Sequence, residues 1–63
     1  METVYYKLIR IEGEYAILCS KKSAEELFIA MDLLPPNVGV GSFLKYEMLS
    51  YEIITEAEWN CAI

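Results

Sequence analysis

Hydrophobic and polar positions along this chain alternate in short runs rather than in helical turns. Val4 to Ile11 and Tyr15 to Cys19 are rich in β-branched and aromatic residues, and they flank the polar link Glu12-Gly13-Glu14. Two such runs around a glycine predict a β-hairpin. The chain must reverse between Glu12 and Tyr15, and a residue without Cβ takes positive φ there at little cost. The first run is too apolar for one clean alternation. A period of two puts Val4, Tyr6 and Leu8 on one face and Tyr5, Ile9 and Ile11 on the other, which suits a strand shared between two halves of a small barrel. The return strand sets Tyr15, Ile17 and Cys19 against Ala16 and Leu18, and Ser20 to Ser23 reads as the next loop.

Residues 23–34 support two readings. Ser23-Ala24-Glu25-Glu26 fits a capping box, Leu27, Ala30, Met31 and Leu34 fall at helical spacing, and Pro35-Pro36 would stop a helix. The competing reading makes Glu25 to Ile29 a strand paired with Tyr15 to Cys19, followed by a tight turn over Met31 to Leu34. An isolated hairpin needs such a third strand. Leu34 to Gly41 carries both prolines and two of the three glycines and is a loop. Phe43 to Leu49 and Tyr51 to Ile54 read as two further strands. Thr55-Glu56-Ala57-Glu58 is a second capping-box match, and with Ala57, Trp59 and Ala62 it predicts about two turns of helix that must dock Trp59 or fray.

Sixty-three residues leave room for a single domain, residues 1–63. A chain this short buries only about 60% of its unfolded surface. Its 56% hydrophobic content offsets that and excludes disorder. The apolar surplus left over after the core is filled points to a partner or to a homo-oligomer. Ten acidic against five basic residues give a net charge of −5, which repels phosphate and argues against direct nucleic-acid binding. With no histidine, the commonest general base and metal imidazole are missing. The acidic start Met1-Glu2-Thr3, followed at once by a strand, predicts a cytoplasmic protein with Cys19 and Cys61 as reduced, mostly buried thiols. No apolar run approaches the roughly 20 residues that span a bilayer, so no membrane partner is expected.

The candidate chemistry is thin. Glu12, Glu14, Glu25, Glu26, Glu56 and Glu58 lack the spacing of a cation loop and read as solvated surface. A nucleophilic Cys19 or Cys61 would need a base that the composition does not supply. No catalytic residue, metal or cofactor is expected. The aromatic residues carry more information, because Tyr5, Tyr6, Tyr15, Tyr46, Tyr51 and Trp59 exceed what so small a core holds, and Tyr and Trp anchor interfaces. Tyr5, Tyr46, Tyr51 and Trp59 are the candidate protein-binding residues.

The hairpin Arg10-Ile11-Glu12-Gly13-Glu14-Tyr15-Ala16-Ile17-Leu18, followed by Leu33-Leu34-Pro35 and then Gly41-Ser42-Phe43-Leu44, resembles the DUF3006 family of small bacterial domains. The likeness covers roughly residues 7–46. Ile9 and Ser42 depart from the family's acidic positions, and the tail Trp59-Asn60-Cys61-Ala62-Ile63 differs from its longer, charged end. The resemblance implies a compact antiparallel β domain, an accessory module without catalytic residues, and it favours the strand reading of residues 25–29.

Together these observations predict a mainly β protein. The expected fold is a five-stranded antiparallel barrel of SH3-like or OB-like type with a short C-terminal helical turn, the alternative being an α+β fold with a helix at 24–34. The function expected is a non-catalytic protein-protein interaction module that docks through strand edges and tyrosines. The alternative is a small acidic inhibitor, of the kind a phage encodes, that fills an enzyme's nucleic-acid channel by presenting carboxylates in place of phosphates. A ligand-sequestering module would need an enclosed pocket built between subunits.

Overall fold

Five antiparallel strands, β1 (Val4–Glu12), β2 (Tyr15–Ser20), β3 (Glu26–Ala30), β4 (Phe43–Glu47) and β5 (Ser50–Ile54), form one sheet in the order β3-β2-β1-β4-β5. The computed structural model describes residues 3–62. The sheet curls into a half-barrel, and a short helix α1 (Glu56–Cys61) closes the chain. The fold is mainly β, as the alternation predicts.

The nine-residue β1 is the shared strand. It pairs with β2 from Tyr6 to Glu12 and with β4 from Val4 to Lys7. A β-bulge between Leu8 and Arg10 leaves Ile9 unpaired. A bulge bends its strand and raises the local twist, which is what a curled sheet needs at its centre. It also corrects the simple alternation expected for β1. Ile11 pairs with Ala16 and so shares the face of Leu8, not that of Tyr5.

The β1–β2 hairpin turns at Gly13, whose φ of +59° followed by a residue of negative φ is the pattern of a type II′ turn. Residues 24–34 follow the strand reading rather than the helix. β3 pairs with β2 over its whole length, one residue later than the expected Glu25 start, and Met31–Leu33 forms a single 3-10 turn before the prolines. The expected strand 43–49 ends at Glu47 instead. A two-residue turn at Met48 and Leu49 leads into β5, and both residues have positive φ, 53° and 63°.

The concave face carries the core: Leu8, Ala16, Leu18, Ile29 and Leu44, roofed by Leu34 from the 31–42 connection, with Tyr6, Met31, Val38 and Tyr51 packed around them. Part of the convex face is covered by α1. Thr55 caps this helix, its hydroxyl accepting from the Glu58 N–H at 3.1 Å, and Glu56 and Glu58 supply negative charge to the first turn. Trp59 stacks on Phe43 with ring centroids 4.8 Å apart and planes 26° apart. Lys21 completes the attachment. Its ammonium lies 5.1 Å over the Trp59 ring and donates to the carbonyls of Trp59 and Ala62, the latter at 2.8 Å, so that a cation closes the helix C-terminus. Cys19 is half-buried and Cys61 exposed, both as free thiols, so only one of the two follows the expected burial. Among the described residues no helix is long and apolar enough to cross a membrane.

Candidate docking edge

The sheet has two edges, β3 and β5; β5 exposes Ile53 at 44%, and β3 exposes apolar side chains on both faces. On β3, Phe28 is 60% exposed and Leu27 38%, while Tyr15 on the neighbouring strand is 55% exposed. Tyr15 pairs with Ala30 and Ile17 with Phe28, so Tyr15 and Phe28 are diagonal neighbours on the convex face. Leu27 pairs with Leu18 and projects from the opposite, concave face. An extended edge with apolar side chains on both faces is what proteins usually blunt with lysine, proline or a bulge. β3 has none of these. Its one charge, Glu26, is 3.8 Å from Arg10, which also pairs with Glu12.

The hydrogen-bond register shows which backbone groups are free. Ser20 N–H donates to the carbonyl of Glu25, and Met31 N–H to that of Glu14, both at 2.9 Å, between directly opposed residues. Bonded and non-bonded pairs alternate in an antiparallel ladder. Leu27 and Ile29 therefore direct their N–H and C=O groups at β2, and Glu26, Phe28 and Ala30 direct theirs outward. Glu26 and Phe28 each leave a donor and an acceptor open along the edge, and Ala30 leaves its donor open, its carbonyl accepting the first bond of the 31–33 turn.

Two shallow hollows flank it. One, of about 240 Å³, lies between the Gly13 turn, Tyr15, Ala30 and Asp32; the other, of about 320 Å³, is lined by Val4, Tyr6, Ser20, Glu26 and Leu27. The second also includes Ser23 and Glu25, and its hydroxyls serve a local turn: Ser20 Oγ accepts from the Ser23 N–H and Ser23 Oγ from the Glu25 N–H, both at 3.4 Å. Among the described residues no group of three or more Cys, Asp or Glu side chains is placed to hold a metal ion.

The four candidate aromatics divide between the faces. Tyr46 and Tyr51 are cross-strand partners with centroids 4.6 Å apart, and Tyr6 adjoins Tyr51 at 6.3 Å, so these three form one cluster at the concave end of β4 and β5. Burial, reinforced by Tyr6 and Tyr46, raises the Tyr51 pKa above its ordinary value. Tyr5 pairs with Lys45 on the other face, and Trp59 is engaged by Phe43 and Lys21. All four are half-buried. Of the more exposed aromatic pair, Tyr15 belongs to the aromatic surplus but not to the four candidates and Phe28 to neither, because exposure at an edge depends on strand order.

The carboxylates fall in separate groups. Glu47 and Glu52 flank Lys45 at 3.8 and 3.5 Å. Desolvation lowers the Lys45 pKa, but the Glu52 hydrogen bond and the charges of Glu52, Glu47 and Glu58 outweigh it, and the ammonium titrates above its usual value. Glu12 and Glu26 gather at Arg10, while Glu14, Glu25, Asp32, Glu56 and Glu58 lie in the turns and the helix. Comparison of the chain with family models, curated proteins and solved structures finds no match.

Proposed function

We propose that this chain is a non-catalytic protein-binding module that docks another polypeptide along the β3 edge. One observation carries the reading: Glu26 and Phe28 present outward backbone donors and acceptors, and Ala30 an outward donor, between exposed apolar side chains on both faces. Added strands bind in this way, main-chain bonds supplying affinity and alternate side chains supplying selectivity. The Tyr46–Tyr51 pair forms a second, less exposed surface on the concave face, Tyr5 lies on the opposite face, and Trp59 contributes by fixing α1. The resemblance to the DUF3006 domains supports the accessory role. Free thiols at Cys19 and Cys61 suit a cytoplasmic setting.

The acidic-inhibitor reading ranks second. Net charge supports it, but a phosphate mimic gains from carboxylates in one row, and here four of them surround Lys45 and Arg10. Quantitative affinity capture separates the two. With the purified chain as bait, a protein captured by the wild type and lost at least about tenfold by Phe28→Asp, roughly 1.4 kcal/mol, supports edge docking. Equal capture by both, with loss on neutralising Glu47 and Glu52, contradicts it.

A further inference from the structure

We infer that the β3 edge pairs with the β3 edge of a second copy of this chain, antiparallel about a two-fold axis at Phe28, to give a continuous ten-stranded sheet. This rests on the edge reading above and names its occupant. The three outward-facing residues, Glu26, Phe28 and Ala30, are symmetric about the middle one. An antiparallel two-fold therefore sets Phe28 opposite Phe28 of the second copy and Glu26 opposite its Ala30. Every outward N–H then meets a carbonyl, that of Ala30 being shared with the turn it caps.

The side chains fit the same register. On the convex face the two Phe28 rings meet at the axis, flanked by Tyr15 of each copy. On the concave face Leu27 meets Ile29 of the second copy, which extends the core that already contains Ile29. Charge does not oppose this occupant. Although the chain carries −5, self-pairing over residues 26–30 sets no carboxylate opposite another: Glu26, the one charge of the strand, faces Ala30, and Glu25 and Asp32 lie outside the paired residues. Glu26 keeps Arg10 of its own chain as partner. Five residues at about 3.4 Å each make a short seam, so the association belongs to the weak class of interfaces below about 1,200 Å².

The register also supplies a selective variant. The Phe28 N–H points away from β2, so Phe28→Pro removes an edge donor without breaking a β2–β3 bond. Sedimentation equilibrium from about 10 μM to 1 mM, a range bracketing weak affinities, is expected to show wild type passing from monomer to dimer and Phe28→Pro remaining monomeric. Amide exchange on wild type keeps the test independent of how the variant folds. The Phe28 and Ala30 amides are expected to gain at least about tenfold protection as the dimer forms, with Leu27 and Ile29 protected throughout. Wild type that stays monomeric over the whole range overturns self-pairing, and loss of captured protein by Phe28→Pro would then leave the edge reading standing. A dimer whose Phe28 and Ala30 amides gain no protection overturns self-pairing, since the contact then lies elsewhere.

Discussion

Two adjacent residues, Met48 and Leu49, hold unfavourable left-handed backbone. Both sit at positive φ with large side chains, 74% and 85% exposed. Left-handed conformation costs a non-glycine residue about 1 kcal/mol or more, and a two-residue hairpin of this kind ordinarily takes Asn-Gly. Because so little burial is at stake, Met48→Asn with Leu49→Gly is expected to stabilise the fold by about 1 kcal/mol, read as a higher urea midpoint with unchanged slope. Tyr51 gives the residue-scale pH dependence. Its folded pKa is raised above the ordinary 10.0, so the unfolded chain releases that proton first as pH rises. Stability is therefore full below about pH 10 and falls from there through the folded pKa. Lys45, also raised, loses its contribution on the same alkaline side. Urea midpoints between about pH 9 and 11 should fall for wild type, and less steeply for Tyr51→Phe.

At the scale of elements, α1 shows how a six-residue helix persists. Isolated helices so short are marginal in water, and this one is held by its Thr55 cap, the Trp59–Phe43 stack and Lys21 at its C-terminus. Thr55→Ala is expected to cost about 1 kcal/mol. Lys21→Met should loosen the helix while leaving the sheet intact, seen as faster exchange confined to the amides of residues 59–62. The Thr55 cap, the Trp59 anchor and the Gly13 reversal were all legible in the sequence, since each is a local pattern with a local cause. Three features were not. The Met48-Leu49 turn uses residues that disfavour it, and the bulge at Ile9 leaves no mark on an apolar run. The exposed Tyr15–Phe28 pair follows from β3 lying at an edge, which no local pattern specifies. Ser23-Ala24-Glu25-Glu26 misleads in the other direction: Ala24 has a φ of 60°, Ser23 receives the Glu25 N–H in a local turn, and pairing with β2 overrides helical spacing.

For the whole molecule, the decisive property is an apolar surplus that the half-barrel distributes unevenly. The concave face buries Leu8, Leu18 and Leu44 completely beneath the 31–42 connection, and the convex face is partly covered by α1. Part of what remains open lies at β3, where backbone and side chains are exposed together, while Leu33, Val40, Met48, Leu49 and Ile53 lie on the connections and on β5. Docking at β3 depends on a single structural fact, that residues 26–30 form an edge strand whose alternate amides point outward. Residue-resolved amide exchange on dilute protein tests it directly. The account predicts slow exchange at Leu27 and Ile29, bonded to β2, and fast exchange at Phe28 and Ala30. Uniform protection from Leu27 through Ala30, as a helix over residues 24–34 would give, or slow exchange at Phe28 with fast exchange at Leu27, would contradict it.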